Sequence, residues 1–389
     1  MDPRRNPYNP GAGRTPAALV GRDGQRDAWS VALDRVEAGR DAQPVVLYGL
    51  RGVGKTVLLN AFRTAAEDQN WLAAAAEAGS GKTLREALGE ALHGPLADIA
   101  SPSVGQRVRR ALRTAVSFKA SYDTSGSWNF GLDLTDGPGG GADTGVLETD
   151  LGKLVKDLAL GAAESGVGLA ILIDEAQDLA PDELVAVCQV AHEASQRQWP
   201  VLIALAGLPS LPRVLAEAKS YAERLFMYER IEQLPEDLAR QALVDPAAQE
   251  GATWDDKAVR HVVTQTQGYP YFVQQFGQDI WNAAPTSTIT LQDARVGSER
   301  ALATLDTGFF RARWDRATKS EKQYLRAMAP GGDAGAPTSD VAARMGRKLG
   351  SLGPARASLI NKGLIYAPEH GVVQFTVPGM ADFITRQPG

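Results

Sequence analysis

The sequence predicts a doubly wound α/β domain, then a helical segment, then a small module of three helices and a hairpin. Three observations carry this. A β-branched run at 44–48 ends in a glycine-rich loop and an apolar helix start; two more continuous apolar runs follow at 168–175 and 200–210; and beyond 311 helical periodicity gives way to alternation. Continuous apolar strands separated by helical stretches are the pattern of a parallel sheet covered on both faces.

Composition sets the bounds. The 389 residues suffice for two or three domains with cores of their own, and 44% hydrophobic with 22% charged residues is the balance of an ordinary soluble protein. The single cysteine, Cys188, sits in a helical pattern and permits no disulfide framework within the chain, which suits a reducing cytoplasm. Residues 1–10 carry prolines and arginines without an apolar centre, so they are not read as a signal peptide. No apolar run approaches a membrane span, and the four histidines are scattered without metal-ligand spacing. The expected location is cytoplasmic, with no membrane partner.

In chain order, residues 1–17 read as a disordered arm and 18–234 as the nucleotide-binding core. A helix opens in 20–29 and runs to about 37, strand one is 44–48, and 71–76 is a weak strand because its alanines favour helix. A helix follows from 83 to about 99. Segments 117–122 and 127–134 alternate with period two around Asp123-Thr-Ser-Gly126, which predicts a β-hairpin insert at about 115–142. Its aromatic residues Phe118, Tyr122, Trp128 and Phe130 either contact a partner or cover the core. After a helix at 147–164 come the strands 168–175 and 200–210 and a fifth at 227–234. Residues 235–310 read as a helical lid. Residues 311–389 place helices at 319–329, 339–345 and 352–362 before alternating runs at 364–367 and 372–377, the order of a winged helix.

The chemistry concentrates in Gly49-Leu-Arg-Gly-Val-Gly-Lys-Thr56, a G-x-x-x-x-G-K-T loop between a strand and a helix. Gly49, Gly52 and Gly54 allow backbone N–H groups to turn inward around a β-phosphate, with Val53 and Val57 in the same stretch, and the following helix adds the positive end of its dipole. Lys55 is placed to reach the β/γ-phosphates and Thr56 to ligate Mg²⁺. The run 168–175 ends in Asp174 and Glu175 at the edge of a buried strand, which suits Asp174 to the Mg²⁺ shell and Glu175 to polarising the attacking water. A second G-K-T at 81–83 has Ala76 where the leading glycine belongs and Glu77 where a carboxylate would repel phosphate, so it reads as a loop and helix start. No guanine-reading N-K-x-D occurs, which favours ATP over GTP.

Together these features resemble the AAA+ P-loop ATPases of the group that includes archaeal-type replication initiators and STAND signalling ATPases. The likeness covers nearly the whole chain after the arm, with Gly49 to Thr56 as Walker A and Ile171-Leu-Ile-Asp-Glu175 as Walker B. The resemblance implies that Val20, Gly21 and Arg22 lie against the adenine. It also implies that Arg224, before the fifth strand, acts as a finger on the nucleotide of a second copy; a surface arginine is the alternative. Where initiators carry an arginine on the third lid helix, this chain has Gly268-Tyr269-Pro270, similar to the STAND pattern, whose proline packs near the adenine. The implied function is a slow ATPase switch, in which nucleotide state sets the angle between core, lid and winged helix.

Net charge is −5 overall, yet from Arg311 onward twelve Lys/Arg face six Asp/Glu, a local balance of +6. This suggests duplex DNA as a partner, gripped by Arg347, Lys348, Arg356 and Lys362 in and around the third helix. The alternative output is packing of the winged helix on the nucleotide domain or on a partner protein.

Overall fold

The computed structural model describes residues 1–79, 81–101, 103–123, 128, 130, 134, 139–164 and 166–388. The chain divides into two compact units, one of Arg22–Tyr48 and Lys55–Arg230, the other of Met1–Gly21, Gly49–Gly54 and Ile231–Gly389. The division falls after Gly21, at both ends of Gly49–Gly54 and at Ile231, whereas the sequence reading places boundaries after 17, 234 and 310.

The first unit is built on a five-stranded sheet. Its strands are β1 (Val45–Tyr48), β2 (Leu72–Glu77), β3 (Leu169–Asp174), β4 (Val201–Gly207) and β5 (Met227–Arg230). They lie in the order β2-β3-β4-β1-β5 and every pair is parallel. Among the described residues its helices are α1 (Asp23–Glu37), α2 (Lys55–Asp68), α3 (Leu84–Ile99), α4 (Gln106–Ala120), α5 (Leu147–Ala163), α6 (Pro181–Gln196), α7 (Leu211–Ala218) and α8 (Ala222–Leu225). The alanines of β2 form a strand despite their helix propensity, because pairing with β3 and packing against α3 override it. Trp29 of α1 stacks on Phe62 of α2 with centroids 4.6 Å apart and donates its indole N–H to the Phe62 carbonyl, which fixes the helix that begins at Lys55.

The first strand of the expected hairpin is helix. Val108, Ala111, Leu112, Ala115 and Phe118 are all buried on one face of α4, a spacing of three and four residues that outweighs the short alternation at 117–122. That face packs on α5, where Asp157 accepts from the Thr114 hydroxyl at 2.7 Å and pairs with Arg110 and Lys153. Of the expected second strand, residues 127, 129 and 131–133 lie outside the described residues, as does the turn 124–126. Trp128 and Phe130 pack around His93 against the core, so these two aromatic residues cover it.

The second unit begins with the N-terminal arm, which is ordered rather than disordered. Asp2 caps a 3₁₀ turn at Pro3–Arg5, and Tyr8 is only 2% exposed. The lid helices here are α9 (Glu236–Gln249), α10 (Asp256–Thr266), α11 (Pro270–Ala283) and α12 (Leu291–Thr304), with the short strands β6 (Thr253–Trp254) and β7 (Thr288–Ile289) paired in parallel. The Tyr8 ring meets Trp281 edge-on, its hydroxyl donates to the Leu243 carbonyl, and Trp254 donates to it at 3.1 Å. A side chain at Gly277 would clash with the Tyr8 ring at 2.5 Å, so the absence of a β-carbon there makes the seat for the arm. Burial of one aromatic ring thus holds a segment whose composition alone suggests disorder.

A π-helical turn, Leu305–Phe310, leads from α12 into α13 (Arg311–Asp315), α14 (Lys319–Met328), α15 (Thr338–Met345), α16 (Gly353–Asn361) and α17 (Met380–Thr385). The strands β8 (Ala336–Pro337), β9 (Ile365–Tyr366) and β10 (Val372–Phe375) form an antiparallel sheet in the order β8-β10-β9. β8 is an addition to the two strands the sequence suggests; proline at its end and only two paired residues hide it from any periodicity.

Candidate nucleotide site

The outer half of the phosphate loop is set by backbone geometry that only glycine tolerates. Gly52 and Gly54 have φ of 87° and 98°, and a β-carbon on Gly49 would lie 2.1 Å from the Ile231 carbonyl oxygen. Within the second unit the loop is framed by two elements. The Tyr271 N–H at the start of α11 donates to the Gly52 carbonyl at 3.3 Å, and the Arg51 N–H donates to the carbonyl of Thr376, just past β10, at 3.1 Å. Pro270 opens α11, where a missing N–H costs nothing. The turn before it requires Gly268, because a β-carbon there would stand 2.0 Å from the Leu234 carbonyl oxygen. Val53 is buried.

In the first unit Lys55 is the first residue of α2 and is 7% exposed, followed by Thr56 and the half-buried Val57. The Thr56 hydroxyl donates to Asp174 Oδ2 at 2.6 Å, and Asp174 Oδ1 accepts the Glu175 N–H at 2.8 Å. Burial raises the Asp174 carboxyl above its ordinary value, while the bonds from Thr56 and Glu175 and the charge of Lys55 oppose that rise. A hydroxyl beside a carboxylate at the end of a buried strand is a hard-oxygen donor set that fits Mg²⁺, which uses one or two carboxylates with phosphate oxygens rather than a full protein cage. Among the described residues no group of three or more His, Cys, Asp and Glu side chains could hold a metal.

Glu175 occupies the left-handed region at φ 50°, unusual for a residue with a β-carbon. Gln177 holds it there: its amide nitrogen donates to Glu175 Oε2 at 2.7 Å, while its amide oxygen accepts the Leu208 N–H, just past β4, at 2.8 Å. Sequence reading misses Gln177; the signal present was a polar amide two residues after the acid pair in Asp174-Glu-Ala-Gln177.

The remaining expected residues divide. Val20 is half-buried, Gly21 has φ of 70° with Leu238 and Leu234 over its α-carbon, and Arg22 is 8% exposed with its pKa lowered by burial. Arg224 is exposed on α8, and its guanidinium makes no hydrogen bond or ion pair among the described residues. Lys82 of the second G-K-T pairs with Glu90 at 2.5 Å, and Thr83 caps α3 in a reciprocal bond with Glu86, so that segment is a helix start. Arg347 and Lys348 are exposed after α15 and Arg356 is half-buried on α16. Lys362 is committed to Glu321 at 2.6 Å, inside its own unit.

Residues 18–204 match the family model of the AAA ATPase domain, a stretch that runs from before α1 into β4 and holds the loop and the acid pair. That stretch is accordingly similar to an AAA ATPase domain, and the protein is an enzyme that hydrolyses ATP. Residues 307–384 match a model described as a domain of unknown function (DUF8462). Among solved structures the chain is similar to the Walker-type ATPase PABY2304 of Pyrococcus abyssi, at 16% identity and TM-score 0.59 over 94% of this chain and 96% of that one, which shows a shared fold. Weaker likenesses are the RuvB Holliday junction branch migration motor of Thermotoga maritima (12% identity, TM-score 0.45, 95% and 97% covered) and Cdc6p of Pyrobaculum aerophilum (14%, 0.46, 99% and 97%). No curated protein matches the sequence. No helix among the described residues is long and apolar enough to cross a membrane.

Proposed function

We propose that the protein is a Mg²⁺- and ATP-dependent switch whose C-terminal module, read as a winged helix, binds duplex DNA according to nucleotide state. The observation that carries the nucleotide half is the Thr56–Asp174 pair at 2.6 Å beside a buried Lys55 and a tethered Glu175. In this reading the backbone of Gly49, Gly52, Val53 and Gly54 wraps the β-phosphate, and Lys55 bridges the β- and γ-phosphates. Thr56 and Asp174 hold Mg²⁺, which supplies charge neutralisation on the phosphates when bound. Glu175 orients the attacking water in line with the leaving oxygen. Val20, Gly21, Arg22 and Pro270 contact the base. The exposed guanidinium of Arg224 completes the site of a second copy, so the monomer turns over slowly and self-association raises the rate.

What supports coupling is that Gly49–Gly54 clusters in one compact unit with the lid and the C-terminal module, where the Arg51 N–H bonds Thr376 directly. That same bond favours a second reading, in which the module acts by packing on the loop, as in STAND-like switches, rather than by contacting DNA. The test of the nucleotide site compares Lys55→Ala with Lys82→Ala. The first should abolish ATP turnover and the second should leave it near normal, because Lys82 is exposed and engaged with Glu90. Equal losses would place the site at the wrong loop. Turnover that rises with protein concentration, and loses the rise in Arg224→Ala, checks the role of the finger.

A further inference from the structure

Inside the second unit the tip of the phosphate loop meets a corner of the C-terminal module, and Gly363 stands at that corner. It is the residue at which α16 ends. Its φ is 61°, and the N–H groups of Gly363 and Leu364 return to the carbonyls of Ile360 at 2.8 Å and Leu359 at 3.1 Å. A left-handed residue after a helix is reason enough for glycine or asparagine. A second constraint acts on the same atom. A β-carbon on Gly363 would stand 2.9 Å from Arg51 Nη2 and 3.6 Å from its Cζ, so the Arg51 guanidinium lies over the bare α-carbon. Only glycine answers both requirements.

The backbone of the loop is held at the same place. The Arg51 N–H donates to the Thr376 carbonyl at 3.1 Å. Thr376 is fully buried; its hydroxyl donates to the Gly363 carbonyl at 2.7 Å and its N–H to the Leu364 carbonyl at 3.2 Å. Arg316 donates to the carbonyl before these, that of Lys362, at 2.8 Å. Three successive carbonyls are thus satisfied, and a corner whose polar groups are all engaged is a stiff seat. One residue of the loop is therefore gripped twice, through its amide by Thr376 and through its side chain at Gly363. Gly52, the next residue, is held separately by the Tyr271 N–H.

We propose that this corner is a latch that shapes the phosphate loop before nucleotide arrives: Arg51 seated on Gly363, with Thr376 as the positioning residue, keeps Gly52 and Gly54 at positive φ. A loop fixed in advance spares the ligand the cost of ordering it. The C-terminal module is then part of the support of the ATP site, whatever its own outer surface contacts. The inference rests on the ATP-site reading above and deepens it by naming what regulates that site. Lifting the module off Arg51 lowers nucleotide affinity, and by the same coupling bound nucleotide holds the module on the loop.

The test measures equilibrium binding of MgATP to the full chain, with the apo melting temperature in parallel, for Gly363→Asn, Arg51→Ala and the two together. Asparagine keeps the left-handed cap but puts a β-carbon into the seat. ATP affinity of Gly363→Asn should fall about three- to tenfold, the range of one hydrogen-bonded contact. In Arg51→Ala the seat is vacant, so adding Gly363→Asn should lower affinity less than twofold further. Residual strain at the cap lowers the melting temperature of both backgrounds alike and cannot imitate that difference. Equal losses in both backgrounds, or none in either, would overturn the latch. Should Gly363→Asn fail to fold, hydrogen exchange of residues 49–54 in the apo Arg51→Ala chain decides: exchange faster than wild type is expected, and unchanged exchange overturns the proposal. If the wild-type chain does not bind ATP, or Lys55→Ala binds it normally, the underlying site reading fails and the latch with it. A failure confined to positions 51 and 363 leaves that reading standing.

Discussion

Replacing Gln177 with leucine tests whether the amide that ties Glu175 to the end of β4 sets the rate of hydrolysis. Two bonds are lost. The Leu208 N–H is buried and has Gln177 as its partner, so leaving it unpaired costs about 1–3 kcal/mol of stability. The donor to the Glu175 carboxylate is lost as well, and with it the restraint on a residue held at φ 50°, a conformation that itself stores about 1–3 kcal/mol. Displacement of a water-orienting carboxylate by about 1 Å costs up to about 100-fold in rate, so kcat should drop about 10- to 100-fold. ATP affinity should stay within twofold, because Lys55 and Thr56 are untouched. Gln177→Glu separates the effects: its carboxylate still accepts the Leu208 N–H but cannot donate to Glu175 and repels it, so stability should largely survive while turnover is lost. Single-turnover hydrolysis, equilibrium ATP binding and thermal melting read the three quantities. If Gln177→Leu cleaves ATP within twofold of wild type while Glu175→Gln binds without cleaving, Gln177 is packing and the geometric argument is refuted.

Two further outcomes are expected. Burial alone would raise the Glu321 carboxyl, yet bonds from Lys362, Ser358 and Thr318 bring it from 4.5 to about 2. A folded pKa below the unfolded one gives stability that is present above about pH 4.5 and lost as the pH falls toward 2; acid melting curves should therefore show a loss of about 1–3 kcal/mol over that window, flattened in Glu321→Gln. In a salt titration with random duplex DNA, Arg347→Glu with Lys348→Glu should weaken binding at every sequence while ATPase activity survives; salt-independent or absent binding by the wild type in both nucleotide states would favour the loop-packing reading.

Much of the sheet was legible because its signals are local. Glycines at 49, 52 and 54 answer a backbone requirement, and the acids at 174 and 175 end a continuous apolar run, so neither depends on distant contacts. What was hidden is non-local. Tyr8 is held by Trp281, Trp254 and Leu243, all more than two hundred residues away in the chain, and no property of the prolines and arginines around it announces that. The helical face of α4 was readable in a window starting at 106, but a six-residue window centred on Phe118 shows alternation first. Gln177, Arg51 and Thr376 gain their interest only from what the fold places beside them. A lone amide, arginine or threonine has no spacing to betray it.

The charge argument for DNA binding changes most when positions replace counts. The +6 balance after Arg311 treats every cation as available, yet Lys362 is bound to Glu321, Lys322 lies 3.7 Å from Asp315, and Arg386 bonds Asp306. Arg313 is turned inward beside the phosphate loop. Of the four residues expected to grip phosphate, Arg347 and Lys348 are exposed and Arg356 is half-buried. Each phosphate neutralised contributes a log–log salt slope of about −0.9, so this face predicts a slope of only about −2 to −3, shallow for a DNA-binding protein. A measured slope much steeper than that would mean that further basic residues, such as the exposed Lys319 and Arg344 of the same module, also meet the duplex, and the output surface would then be wider than the third helix.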